Sequence, residues 1–146
     1  MEFTKSLIKG KLIKRYKRFF TDIKINKEVI TAHCPNTGSM KGLLDEGNEV
    51  LISKNNDPKR KLKYTLEIIE VNKEKIGINT LLTNKIVLEA LTNKKIDPLL
   101  KFDRINPETK FSNNTRFDFL LSNNKKKCFL EVKNVTLFRN KKIAEF

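Results

Sequence analysis

The first half of the chain is a succession of apolar runs too short for helices and broken by polar turns. Leu7-Ile8, Leu12-Ile13, Phe19-Phe20, Ile23 and Ile25, Val29-Ile30, Val50-Leu51-Ile52, Tyr64 to Val71, and Ile76-Gly77-Ile78 all fall within residues 7–79. β-Branched and aromatic residues in such runs predict strands, and many short strands separated by turns predict a small barrel. Asn26-Lys27-Glu28 and Asn72-Lys73-Glu74 have the composition of hairpin reversals. An OB-like barrel over residues 1–80 is the leading expectation, although alternation alone does not separate it from other small β folds.

The pattern then changes. Residues 82–91 predict a helix, with Thr83 or Asn84 to cap it, Ile86, Val87, Ala90 and Leu91 as its apolar face, and Asn93 to end it. Glu89 lies between Val87 and Ala90, near the buried edge. It either pairs with Lys85 one turn earlier or turns toward the strands that follow. Residues 94–114 include Pro98 and Pro107 and read as a connecting loop with one short strand. The whole is thus an α+β chain, a β-barrel followed by a small αβ unit over 81–146.

Next come two apolar runs, Arg116-Phe117-Asp118-Phe119-Leu120-Leu121 and Cys128-Phe129-Leu130-Glu131-Val132-Lys133. They are separated by Ser122-Asn123-Asn124 and three lysines, which predicts a hairpin. A reversal centred between Asn124 and Lys125 sets Asp118 across from Glu131 and Arg116 across from Lys133, unless a bulge shifts the register. Alternation puts Glu131 and Lys133 on one side and Val132 on the other. Carboxylates on neighbouring strands can share a hard divalent cation such as Mg²⁺, with the Val132 carbonyl as a further ligand. A lysine two residues past the glutamate can orient a metal-activated water or stabilise charge on a phosphate. The competing reading is a solvated Glu-x-Lys ion pair that contributes little.

Charge narrows the partners. A formal net charge of +14 and a pI near 9.9 favour polyanions such as nucleic acid. The excess of Lys over Arg, with abundant Asn and Ile, is also what AT-rich coding DNA imposes, so charge alone does not decide. At 146 residues the chain suffices for one ordinary domain or two small ones. Its two cysteines, Cys34 and Cys128, exclude zinc-finger spacing and a disulfide scaffold and suit a reducing compartment. Lys5, Lys9, Lys11 and Lys14 interrupt the N-terminal apolar residues, so no signal peptide or membrane span is expected and the cytoplasm is the expected location.

Two segments of the first half carry candidate chemistry. Lys14-Arg15-Tyr16-Lys17-Arg18-Phe19-Phe20 interleaves cations and rings. On a barrel strand this suits single-stranded nucleic acid, with cations on phosphates and rings on bases. In the alternative, Phe19 and Phe20 are core and the cations are solvated. Lys59-Arg60-Lys61-Leu62-Lys63, after the Asp57-Pro58 turn, is a second basic loop for the same surface. His33-Cys34-Pro35-Asn36-Thr37-Gly38-Ser39-Met40 must turn, with His33 at its approach and Thr37 and Ser39 at its mouth. Adjacent His and Cys side chains seldom face each other and no orienting carboxylate is evident, which disfavours thiol catalysis. A phosphate-holding loop and a purely structural turn remain, the second favoured.

These motifs together resemble the sugar fermentation stimulation protein A (SfsA) family. The resemblance rests on the 14–19 segment, Ala32 to Met40, Asn56-Asp57-Pro58-Lys59-Arg60-Lys61-Leu62, Arg116 to Leu121, and Glu131-Val132-Lys133-Asn134-Val135-Thr136-Leu137. It implies an N-terminal OB-like nucleic-acid-binding domain over 1–80 and a domain similar to PD-(D/E)xK nucleases over 81–146. It also implies DNA as partner and a regulatory role in sugar metabolism. The alternative function it implies is a Mg²⁺- or Mn²⁺-dependent nuclease, with Glu89, Asp118, Glu131 and Lys133 catalytic and Asp118 and Glu131 on the metal. Lys14, Arg15, Tyr16, Lys17, Arg18, Lys59, Arg60 and Lys61 are the candidate nucleic-acid contacts. Family members continue past the position of Phe146 with a Pro-Asp-Ala segment, a helix and a strand. The nuclease-like unit is therefore expected to be C-terminally truncated, with one sheet face open and its acidic site poorly supported.

Overall fold

The fold is taken from a computed structural model that describes residues 2–3, 6–140 and 143–145. The chain divides into two compact units. One is Leu81–Lys133, and the other is Glu2–Thr80 joined by residues from Asn134 onward.

The larger unit contains the expected OB-like barrel. Its strands are β1 (Ile8–Tyr16), β2 (Phe20–Ile25), β3 (Glu28–His33), β4 (Glu49–Lys54) and β5 (Tyr64–Val71), and β6 (Glu74–Gly77) extends β5 as a hairpin. β1 pairs antiparallel with β2 and β4, β2 with β3, and β4 with β5. A short parallel pairing of β3 with β5, Ala32 opposite Tyr64, closes the ring. Closure covers the end of β3 and so reduces the unpaired backbone that an open sheet would expose.

Inside the ring, Leu12, Ile23, Ala32, Val50, Ile52, Leu66 and Ile69 are buried, and Cys34, Met40, Leu43 and Ile78 from the connections plug it. The β1 and β2 backbones approach closely at Gly10. A Cβ there would meet Ile23 Cγ2 at 2.5 Å and the Lys24 carbonyl at 3.0 Å, so only glycine fits. A bulge between Leu12 and Lys14 resets the alternation of β1. Its outer row therefore reads Lys9, Lys11, Lys14, Tyr16, each exposed.

The smaller unit packs helix α1 (Thr83–Thr92) on a three-stranded antiparallel sheet of β7 (Arg104–Lys110), β8 (Arg116–Ser122) and β9 (Lys127–Leu130). Its core is Leu91, Phe119 and Leu121, surrounded by half-buried residues such as Val87, Leu88, Ile105, Cys128 and Leu130. The helix face differs from expectation. Val87, Leu88 and Leu91 point inward, whereas Ile86 is 50% exposed. The N-cap position is held by Leu82, which makes no side-chain cap, and the Asn84 side chain bonds to Asp118.

The C-terminus of α1 closes in the manner of a Schellman motif. The Lys94 N–H donates to the Leu91 carbonyl, the Lys95 N–H donates to the Ala90 carbonyl, and Lys94 takes the left-handed φ of 53°. β7 lies in the segment expected to be mainly loop. Pro107 sits within it, and β7 is an edge strand, where proline is tolerated. Phe111, Phe117 and Phe129 form a partly exposed ring cluster with centroids 4.9 to 5.7 Å apart. The last described strands, β10 (Leu137–Asn140) and β11 (Ile143–Glu145), pair antiparallel.

Candidate functional site

The basic segment 14–20 is the tip of the β1–β2 hairpin, not a single strand. β1 ends at Tyr16, Lys17 and Arg18 turn with left-handed φ of 48° and 61°, and β2 begins at Phe20. The tip gathers rings on the outside of the barrel. Tyr16 stacks on Phe20 with centroids 5.5 Å apart, and Phe19 stacks on His33 at 6.5 Å and an interplanar angle of 9°. Phe19 is 44% exposed, so it is not core.

Lys14 stands 5.6 Å over the Tyr16 ring and 3.9 Å from Asp22. Asp22 also accepts hydrogen bonds from the Tyr16 and Thr31 hydroxyls at 3.2 and 2.8 Å. His33, placed opposite Phe20 by the β2–β3 register, is held below its usual pKa by partial burial and then by the nearby Arg60 charge. It is therefore neutral at pH 7.

Arg15 departs from its neighbours. Its guanidinium donates to the carbonyls of Gly38 at 2.9 Å, Asn36 at 2.6 Å and Arg18 at 3.0 Å. It acts as a clamp on the 34–40 loop, leaving Lys14, Lys17 and Arg18 as the outward cations of the tip. That loop is structural. Cys34 is fully buried with its thiol against the Asn36 carbonyl and Met40 Sδ. Asn36, also buried, accepts the Gly38 N–H at 2.8 Å and donates to Thr136 Oγ1 at 3.2 Å. In the 55–63 loop, Lys59 and Lys61 are exposed, and Arg60 donates to Thr65 Oγ1 at 3.3 Å.

The carboxylates belong to the smaller unit. The β8–β9 register pairs Phe119 with Leu130 and Ser122 with Lys127, the register anticipated for the hairpin. Pairing stops at Leu130, one residue short of Glu131. Asp118 is half-buried and satisfied on both oxygens. Oδ1 accepts from Asn84 of α1 at 2.7 Å, and Oδ2 accepts from the Val132 backbone N–H at 2.7 Å. This one carboxylate thereby ties the helix to the chain leaving β9.

Glu131 and Lys133 are about half exposed and joined at 2.6 Å. The hydrogen bond and charge of Glu131, with a smaller contribution from Asp118, hold the Lys133 ammonium above the usual lysine value against a slight opposing burial. It stays charged at neutral pH. Glu89 occupies an exposed position of α1, and no group of three metal-ligating acids, histidines or cysteines occurs among the described residues. The donors on offer, the carboxylate oxygens of Asp118 and Glu131, are those a hard cation takes. Each Asp118 oxygen retains a second lone pair beyond the N–H it accepts.

Comparison with known proteins identifies the family. The model described as the SfsA N-terminal OB domain matches residues 13–78, and that described as the sugar fermentation stimulation protein RE domain matches residues 81–146. The chain belongs to the sugar fermentation stimulation family. A sugar fermentation stimulation protein homolog of Pelagibacter ubique is 66% identical over 146 residues, covering all of this chain and 63% of that protein. The Pseudoalteromonas atlantica homolog is 50% identical over 141 residues, covering 94% and 60%. A solved structure of Pyrococcus furiosus SfsA in complex with Ca²⁺ shares the fold, with a TM-score of 0.79 at 24% identity over 99% of this chain and 60% of that one.

This family member therefore spans about three fifths of the length of the relatives it matches. Among its described residues, no helix is long and apolar enough to cross a membrane. The rings of Phe19, Phe20 and His33 join Tyr16 at the tip, which residue order alone does not show. The available signal was the Phe19-Phe20 doublet at a hairpin tip, where one ring of a consecutive pair must face outward.

Proposed function

We propose that this chain is a DNA-binding member of the sugar fermentation stimulation family, acting in the cytoplasm in the regulation of sugar metabolism, with the barrel as its binding domain. The observation that carries this reading is the ring-and-cation tip. Two stacked ring pairs on the outside of a closed barrel are flanked by Lys14, Lys17 and Arg18, with Lys59, Arg60 and Lys61 in the neighbouring loop of the same unit. Rings left in water at a strand end are costly unless they meet a partner, and nucleobases are the flat partners a +14 chain attracts. Affinity for DNA should fall steeply with salt, because each phosphate neutralised releases counterions. Titration of a labelled oligonucleotide between ~50 and ~200 mM salt tests this. Absence of binding at the lower salt overturns it.

A second reading is a Mg²⁺- or Mn²⁺-dependent nuclease of PD-(D/E)xK type, favoured by the meeting of Asp118, Glu131 and Lys133 at the exit of β9. Asp118 and Glu131 would hold the metal, which supplies an activated water. Lys133, charged at neutral pH, would steady the phosphate, and Glu89 would complete the acidic set. A relative of the same fold was solved with Ca²⁺, another oxygen-seeking cation. Plasmid cleavage with Mg²⁺, Mn²⁺ or chelator, repeated with Asp118→Ala and Lys133→Ala, separates the two readings. Equal cleavage by all three proteins removes the nuclease.

A further inference from the structure

The outer face of β1, β2 and β3 is organised in cross-strand rows. Tyr16, Phe20 and His33 form the first, and Lys14, Asp22 and Thr31 form the second. Lys11 and Lys24, with Val29 beyond, form the third. The first row carries rings. In the second, Asp22 neutralises Lys14 and binds Tyr16 and Thr31. The third has no such balance. Lys11 and Lys24 lie directly opposite each other, and neither has an ion pair or hydrogen bond from its side chain among the described residues. On its other side Lys11 faces Glu49 across β4, but the Glu49 carboxylate is turned to Lys9 at 3.8 Å. Like charges placed directly opposite on a sheet are destabilising. These lysines, with Lys9, Gly10, Asn26 and Glu49, line a cleft of about 380 Å³.

We propose that this cleft is a phosphate-binding site, and that it takes the phosphodiester of a single nucleic-acid strand whose bases stack on the ring row. Phe20 and Lys24 are four residues apart on β2, a separation of about 13 Å along a strand. That is short against the ~4–16 nucleotides one OB-type barrel accommodates. Two opposed lysines, neither of them paired with an acid, repel in the free protein, and a phosphate between them turns the repulsion into two attractions. The Lys14–Asp22 row spaces the two contacts. This inference rests on the nucleic-acid reading above and adds a polarity to it: bases at the hairpin tip, backbone at the lysine cleft.

The test pairs the double variant Lys11→Gln/Lys24→Gln with a control of equal charge loss on the β5–β6 hairpin, Lys73→Gln/Lys75→Gln. Both are titrated with a labelled ~15-nucleotide oligothymidylate. The cleft variant should lose roughly tenfold in affinity at low salt, and its log–log salt slope should shrink by about 0.7 for each phosphate no longer neutralised. The control should move neither by more than about twofold. Without ligand, the cleft variant should melt at a higher temperature than the parent, because repulsion has been removed.

Equal losses in both variants would show that net charge alone acts, and would overturn the site while leaving nucleic-acid binding standing. A lower melting temperature for the unliganded cleft variant would remove the repulsion argument. No oligothymidylate binding by the parent, with a thermal shift by inorganic phosphate that the cleft variant lacks, would assign the cleft a free anion and overturn the strand reading together with the function above.

Discussion

The two units solve the problem of burial differently. The barrel closes on itself and buries twelve hydrophobic residues in one cluster, whereas the αβ unit buries three, with one helix on one face of its sheet. The barrel is thus a rigid scaffold whose rings and cations can stand outside without weakening it. In the αβ unit, structure and candidate chemistry share the same atoms. Asp118, the expected metal ligand, is also the hydrogen-bonded tie between α1 and the exit of β9. A site on a large core can be altered at small structural cost; a site that helps to hold a small core cannot.

The largest effects should come from core truncations. Leu66→Ala in the barrel is expected to cost about 3 kcal/mol, and Leu121→Ala a similar amount locally. Hydrogen exchange should distinguish them. Leu66→Ala should lower protection throughout the barrel, and Leu121→Ala should lower it only within the αβ unit. Loss of barrel protection in Leu121→Ala would break the contrast.

Next is Asp118→Ala, which leaves the Val132 N–H and the Asn84 amide without their acceptor and should cost about 1–3 kcal/mol in denaturant unfolding. A change within experimental error would free Asp118 of its structural role and strengthen the metal reading.

Arg15→Lys should cost about 1 kcal/mol by losing the fork that grips three carbonyls, while DNA affinity changes little. A large loss of affinity with unchanged stability would return Arg15 to the binding surface.

The smallest effects concern single backbone and titrating positions. Lys94→Gly should stabilise the αβ unit by up to about 1 kcal/mol, because glycine takes the left-handed conformation without strain. For His33, whose pKa is lower in the folded state, the unfolded chain binds more protons between that value and about 6.5. Its contribution to stability is therefore retained above about 6.5 and lost as pH falls through the window below it. His33→Gln should flatten this part of a stability–pH profile.

Much of the barrel was legible because alternation and turn composition agree. Asn26 and Asn72, both with positive φ, mark the reversals that their residue type suggested. The 118/131 hairpin was legible for a related reason, since a symmetric polar turn leaves one register that keeps Phe119, Leu121, Cys128 and Leu130 on the helix side. Three features were hidden. The hairpin tip at Lys17 and Arg18 turns through left-handed residues that are neither Gly nor Asn, so the segment read as a strand. β7, expected only as one short strand within a loop, runs to seven residues through Pro107, which its edge position permits. The helix face shifted from Ile86 to Leu88 because Asn84 had to face Asp118, and positions three and four residues on follow it.

The sequence by itself determined the strand-rich first half, the helix, the acidic hairpin and the family, because these depend on local period and on residue order. Tertiary structure alone decided which side chains are available. Arg15 and Lys14 are adjacent in the chain, yet one grips backbone carbonyls and the other stands over a ring. Asp118 and Glu131 were both visible as acids, but only the fold binds one to backbone and helix and the other to Lys133. Lys11 and Lys24, thirteen positions apart, face each other only because the bulge past Leu12 and the tight turn at Lys17 set the register of β1 on β2. Local propensity assigns a residue to a strand; pairing and closure determine what its side chain meets.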